Sequence, residues 1–304
     1  MRIHTNKPCL WVAVVSVLHL AFTACSERAL EPDFKNPSDV FRPATDDQSE
    51  EALLRRQFQE QTGCYLLFND TLQQEYLGTD INGTPRYFVE TLDMTYSVGL
   101  SAYISTSYTY TYLDTQEQKS EAADFIQRFI MPHLTGTLRP YSWFAANVIT
   151  GWADSGASTG KPYAITNQRC IAIASNYLVQ RERTDAQKEQ YAQRILNIVI
   201  GQLATNNSDA FSAFYAISAD YYGRDYRTLG YDGKPSTSEL YALGFLSSTS
   251  ISSFPSTTQD LNSYALLAIQ YTDEQLQQQY ANYPLVLQKA AIVRAVLVEL
   301  GYRV

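Results

Sequence analysis

SDAFSAFYAISADYYG, residues Ser208 to Gly223, is the stretch around which the rest of the chain is arranged. At helical spacing Phe211, Phe214, Ser218 and Tyr222 fall on one stripe, while Ala210, Tyr215, Ile217 and Tyr221 fill the neighbouring ones, so the pattern predicts a helix apolar round nearly its whole circumference. A helix of that kind sits in the middle of a domain. It is where an active site would be sought, yet its own residues spell no catalytic motif.

Downstream of it the chain reads as helical. Gly223 to Ser238 is a loop with Gly230, Gly233 and Pro235, and GFLSSTSISSFPSTT (244–258) is a second irregular connection. Ser256 with Gln259 and Thr272 with Gln275 are capping-box pairs that start two helices. Pro284 suits a first helical turn and Gly301 a helix end. Upstream, Thr184 and Gln187 cap a helix whose apolar face is Tyr191, Ile195, Ile198, Val199 and Leu203. Residues 64–177 change period. CYLLFND (64–70), RYFVETLDM (86–94), ISTSYTYTYLD (104–114), SWFAANVITGW (142–152) and PYAITNQRCIAIAS (162–175) read as strands, interrupted by a helix from Glu117 to Met131 that Pro132 stops. In the third of these Ile104, Tyr108, Tyr110 and Tyr112 share a face, which suits a sugar platform or, more commonly, packing beneath helices. The expected fold class is therefore α+β, with a strand-rich amino-terminal half (64–177) and a helical carboxy-terminal half (184–304) in one domain, 49–304. That domain opens with a helix capped by Asp47 and Glu50 and ended by Gly63.

The amino terminus is read apart from the fold. Arg2 and Lys7 form a charged start, Leu10 to Phe22 is a short apolar run, and Phe22-Thr23-Ala24 precede Cys25. Residues 1–24 read as a secretory signal peptide, too short and wrongly flanked for a membrane span. Phe22-Thr23-Ala24-Cys25 resembles a bacterial lipoprotein processing box, which implies cleavage before Cys25 and lipidation of its thiol; ordinary cleavage leaving a free Cys25 is the alternative. Residues 25–48, with Pro32, Pro37 and Pro43, read as an extended tether between lipid and domain. Loss of residues 1–24 removes two cations and no carboxylate, leaving 21 basic and 31 acidic residues, a formal charge of −10. Nucleic acid and anionic headgroups are poor partners for such a chain.

Chemistry-bearing residues are few. His4 and His19 leave with the signal, so the mature chain keeps His133 alone. Neither a His-rich zinc site nor a Ser-His-Asp triad is easily built from one histidine. Gly156-Ala-Ser158-Thr-Gly160 matches G-x-S-x-G, but Lys161-Pro162 follows and the histidine lies upstream, so a flexible loop is the better reading. Cys64 and Cys170 can pair or stay as buried thiols, and spacing does not decide between them. Asp154, Asp220, Asp225, Asp232 and Glu239 fall in loops or at helix ends with no spacing that selects a catalytic pair. Phosphate-cradling loops, EF-hand cages and dinucleotide fingerprints are absent from the sequence. No cofactor is expected.

A lipoprotein signal, GCYLLFND (63–70), the central helix, GFLSS (244–248), TTQDLNSYALLAI (257–269) and YPLVLQKAAIVRAVLVELGYRV (283–304), in that order, resemble the substrate import-associated zinc metallohydrolase lipoproteins. These are zinc-binding, zincin-like metallopeptidases that accompany TonB-dependent uptake in Gram-negative bacteria. The resemblance implies a zincin-like fold whose central helix carries H-E-x-x-H and whose later helix carries an acidic run. Here Phe211-Ser212-Ala213-Phe214-Tyr215 stands in place of the first and Gln259-Asp260-Leu261-Asn262-Ser263 in place of the second. Phe211, Ser212, Tyr215 and Asp260 are thus degenerate-site positions, and the one remaining carboxylate does not hold zinc. The resemblance implies a non-catalytic, lipid-anchored protein of the outer membrane or cell surface, an accessory or binding component of an uptake system. Its partners would be the membrane, a TonB-dependent transporter and a peptide or glycan lying in a cleft beside Tyr215 and Ser218. A hydrolase using carboxylates or zinc at another site and a purely structural envelope lipoprotein are the alternatives.

Overall fold

The computed structural model describes residues 40–95 and 106–303. The signal, Cys25, most of the tether and Ile104 lie outside the described residues. From Phe41 onward the chain is one unit.

That unit begins earlier than residue 49. Helix α1 (Glu50–Thr62) presents two arginines to the preceding segment: Arg55 Nη2 donates to the Phe41 carbonyl at 2.9 Å, and Arg56 Nη1 to that of Ala44 at 3.1 Å. Phe41 is buried against Tyr65 and Tyr141. The cap of α1 is Ser49 rather than Asp47. Its Oγ accepts from Ala52 N, while Asp47 Oδ1 accepts from Ser49 N and so shapes the turn before the cap. Gly63 ends the helix in the left-handed region.

Among the described residues the strands form three sheets. In chain order they are β1 (Tyr65–Leu67), β2 (Thr71–Thr79), β3 (Pro85–Thr91), β4 (Thr106–Thr111), β5 (Ser142–Ala146), β6 (Val148–Ala153), β7 (Ser158–Gly160), β8 (Ala164–Thr166) and β9 (Cys170–Ala174). The central sheet runs β1-β5-β9-β8, parallel across the first three strands and antiparallel at β8. Every residue of β5 and of β9 is buried, as continuous apolar runs in a parallel sheet require. SWFAANVITGW is two strands and not one. At Asn147 the chain leaves the central sheet, with Asn147 N donating to the Thr111 carbonyl at 2.8 Å, and β6 joins the second sheet, β4-β6-β7. Tyr108 and Tyr110 are half-buried on β4, and Tyr110 packs edge-on against Phe144 of β5, while Tyr112 is exposed. Strands β2 and β3 form a separate antiparallel hairpin. Cys64 and Cys170 are buried free thiols.

Helix α2 (Gln116–Phe125) widens into a π-helical turn at Ile126–Ile130 and then tightens to a 3-10 turn, Met131–His133, that holds Pro132. After the short α3 (Asn176–Val179) the chain is helical. Helix α4 (Asp185–Asn206) starts at the Thr184–Gln187 capping box and packs on the sheet edge and on α7 (Thr257–Gln270), which starts at the Ser256–Gln259 box. Thr205 Oγ1 on α4 donates to Asn262 Oδ1 on α7 at 3.1 Å. Between them lie α5 (Ser212–Ile217) and α6 (Thr237–Ala242), and after them α8 (Asp273–Tyr280) and α9 (Pro284–Leu300). The architecture is α+β, strands in the first half and helices in the second. Among the described residues no helix is long and apolar enough to cross a membrane.

The stretch Ser208–Gly223 departs from expectation. It is a 3-10 turn, Ser208–Phe211, followed by the six-residue α5 and then turns. One stripe is buried, through Phe211, Phe214 and Ser218, while Ala210, Ser212, Ala213 and Ala216 face solvent. The alanines explain the difference: they count as apolar in a periodicity pattern but bury so little surface that exposing them costs little.

Candidate functional site

The inward stripe of Ser208–Gly223 meets the first turn of α7 and the first half of α9, and the meeting point is a buried ion pair. Asp260 lies in the first turn of α7, where the helix dipole favours a carboxylate. Lys289 lies on α9 at a core position, its neighbours on the buried stripe being Val286, Ala290, Val293 and Leu297. Lys289 Nζ is 2.5 Å from Asp260 Oδ2, and the two side chains are 0% and 1% exposed. The ammonium also donates to Ser218 Oγ at 3.0 Å and to Tyr222 Oη at 3.3 Å. Tyr222 Oη donates to the same Asp260 Oδ2 at 2.8 Å, and Ser218 Oγ donates to the Leu243 carbonyl at 2.9 Å.

Aromatic rings close the remaining directions. The ammonium lies 4.4 Å from the ring centroid of Phe214, 4.9 Å from Phe245, 5.2 Å from Tyr264 and 5.5 Å from Tyr222. Negative π faces take part of the place of the lost water, and in a desolvated setting each such contact contributes about 2 kcal/mol. Tyr264 is itself held by a hydrogen bond to the Gly244 carbonyl at 2.9 Å. Gly244 has φ +80°, and a Cβ there would meet Lys289 Cδ at 3.1 Å and Ser218 Oγ at 3.2 Å. A glycine at this turn lets the lysine stem reach the carboxylate.

Burial raises the pKa of Asp260 and lowers that of Lys289, and in each case the partner's charge works against the shift. Burial also raises Tyr222, reinforced by the Asp260 charge, so the phenol stays a donor. The arrangement fixes a cation inside the protein and gives it a full set of partners. It does not fit zinc: Asp260 is the sole carboxylate of the cluster, its Oδ2 is held by the ammonium and the phenol, and its buried Oδ1, which has no hydrogen-bond partner, is a single oxygen where zinc takes three or four ligands. Among the described residues no group of three or more His, Cys, Asp or Glu is placed to hold a metal.

The structure therefore brings together Asp260 and Ser218 from the sequence-derived set and separates the others. Ser212 faces solvent and Phe211 is deep in the core. Tyr215 is half-buried, edge-on to Phe214 and Tyr222. Ser218 does not line an open cleft, because it is buried and bonded on both sides. Clefts of about 500 Å³ and 280 Å³ lie elsewhere, the first between Glu117, Glu121, Arg183 and Lys188, the second at Leu72, Glu90, Asn167 and Arg169. Lys289 escaped sequence reasoning. Its signal is present: a lysine on the i, i+3, i+4 stripe that otherwise holds Val286, Ala290, Val293 and Leu297 must find a buried anion.

The remaining sequence candidates take no part in the Lys289 network. His133 Nδ1 bonds the Arg303 carbonyl at 2.8 Å and its ring stacks on Tyr302, pinning the end of the chain. Ser158 Oγ accepts from Gly160 N in the exposed strand β7. Asp225 and Glu239 accept from nearby backbone amides, and Asp154, Asp220 and Asp232 are exposed. Comparison with models of known protein families, with curated proteins and with solved structures gives no match.

Proposed function

We propose that the chain is an exported, lipid-anchored envelope lipoprotein with a zincin-like scaffold that binds rather than cleaves, serving as an accessory or binding component of TonB-dependent nutrient uptake at the outer membrane or cell surface. The observation that carries this reading is Lys289. Where the resemblance implies a metal and a general base between the central helix and the acidic run, the chain supplies its own ammonium and shields it with four rings. An ammonium held at a buried carboxylate neutralises that carboxylate without a metal. The ligand, a peptide or a glycan, would then be held on the outer surface of the domain rather than in its interior.

Elemental analysis of the purified mature chain together with a peptidase assay tests the reading. The expected result is zinc far below one per chain and no chelator-sensitive cleavage. Stoichiometric zinc with peptidase activity lost on chelation would sink it. The anchor is tested separately by mass spectrometry of the mature amino terminus, where a diacylglyceryl-modified Cys25 is expected and an unmodified one counts against anchoring.

A further inference from the structure

Among the described residues, the β2–β3 hairpin adds no buried side chain to the core. Both strands are exposed on both faces along most of their length. Tyr76, Leu77, Tyr87, Phe88 and Val89 each leave about half their surface in solvent, and Ile81 at the turn is fully exposed. A two-stranded hairpin is marginal in water by itself, and an exposed apolar cluster of this size marks a docking surface. Register places Tyr76, opposite Tyr87, with Gln74 and Val89 on a face without charge, and Phe88 on the other with Glu75, Arg86 and Glu90. The one carboxylate at the tip is consumed locally: Asp80 Oδ1 accepts from Asn82 N and Thr84 N, both at 2.8 Å. Ile81 is left as the leading side chain.

The point where the chain enters the fold selects the occupant. Phe41 lies beneath the Arg169 guanidinium, 4.8 Å from its ring centroid. Arg169 also lines the cleft at the foot of the hairpin, whose other residues include Leu72 and Glu90. The tether thus joins the domain beside the hairpin's base. Residues 26–40 separate Cys25 from Phe41, a run that spans at most about 50 Å when fully extended. Any surface holding a lipid on Cys25 is within the hairpin's reach. We propose that the hairpin dips its tip into the lipid surface that holds the anchor, with Ile81 among the acyl chains and Leu77, Tyr76, Tyr87 and the Arg86 guanidinium at the headgroup level, where aromatic side chains concentrate. Arg86 is the only basic residue between Thr71 and Thr91, against Glu75, Asp80 and Glu90. The attraction is therefore hydrophobic, the headgroups zwitterionic, and an anionic surface gives no gain. Such a contact supplies the second signal that turns a single attachment into a fixed orientation.

The proposal rests on the lipid-anchor reading, but its test does not. The mature chain from Ser26 on, which lacks the attachment cysteine, is floated with phosphatidylcholine–phosphatidylethanolamine vesicles. The expected result is co-flotation that falls at least about tenfold on combining Leu77→Asp with Ile81→Asp. In a second variant, Ile81→Trp, the indole emission shifts to the blue on vesicle addition. No flotation, flotation indifferent to the aspartates, or an unshifted indole overturns the proposal. So does a dimer, seen by light scattering without vesicle binding, that Ile81→Asp dissolves, since the hairpin would then join copies of this chain. An unmodified Cys25 in the native protein, with flotation intact, would remove the anchor and leave the hairpin contact standing.

Discussion

At the scale of single residues the molecule depends on Lys289 and Asp260. Replacing both members of a buried ion pair by apolar groups is often tolerated, whereas removing one strands the other without water. Lys289→Met is therefore expected to cost about 3–5 kcal/mol at neutral pH, read as a lower urea midpoint with an unchanged slope. Adding Asp260→Leu to it is expected to restore much of the loss, and the double-mutant cycle gives the coupling directly. The pH dependence has a definite sign. In Lys289→Met the Asp260 carboxyl is pushed up by burial with no ammonium opposing the shift, so its folded pKa exceeds the unfolded value of about 3.9. A raised carboxyl favours the fold below the unfolded value and loses that contribution as pH rises through the folded one. The deficit of the variant should shrink between pH 7 and pH 4. If Lys289→Met matched the wild type at pH 7, the pair would carry no weight in the fold.

At the scale of elements, what could be read from sequence was what local chemistry dictates. The boxes Thr184–Gln187, Ser256–Gln259 and Thr272–Gln275 each close as reciprocal caps, and Pro284 and Gly301 bound α9. What could not be read was tertiary. Strand β2, TLQQEYLGT, has no core face and hence no apolar alternation to find, and Asn147 divides a continuous apolar run because two different sheets claim its halves. Ser208–Gly223 has the periodicity of a longer helix because alanine and tyrosine count as apolar, and Lys289 is hidden in a helix that is apolar on average. One element boundary carries a sharp expectation. Gly301 ends α9 at φ +117°, and a Cβ there would lie 1.8 Å from the Thr135 carbonyl oxygen, while Thr135 N and Oγ1 both donate to the Gly301 carbonyl at 2.9 and 2.7 Å. Gly301→Ala faces the left-handed backbone cost of about 1–2 kcal/mol and a clash with backbone that cannot move aside. Its expected signature is a lowered melting temperature with faster amide exchange confined to 133–138 and the end of α9, whereas Gly223→Ala, with open space around it, pays only the backbone term.

At the scale of the whole molecule, the buried tyrosines turn the core into a sensor of alkaline pH. Burial raises the pKa of Tyr110, Tyr191 and Tyr264, and pushes the Cys170 thiol up to about 12. In the unfolded chain phenols lose their protons near pH 10 and thiols near pH 8.5, on the order of ordinary values. A raised folded pKa means that the folded state keeps protons the unfolded state has released. Stability is then fully present below the unfolded values and declines as pH climbs toward the folded ones. Taking only the buried Cys170, Tyr191 and Tyr264, the loss by pH 11 is roughly 5 kcal/mol, comparable with the total stability of a typical domain. The chain should hold a level melting temperature from neutral pH to about 8.5 and unfold cooperatively near pH 11. The buried Tyr191 and Tyr264 should then ionise only together with the loss of helical circular dichroism, read as a step in phenolate absorbance. A single smooth titration of all tyrosines, completed while the dichroism is intact, would mean that water reaches the core freely, and the dry aromatic enclosure around Lys289 would fall with it.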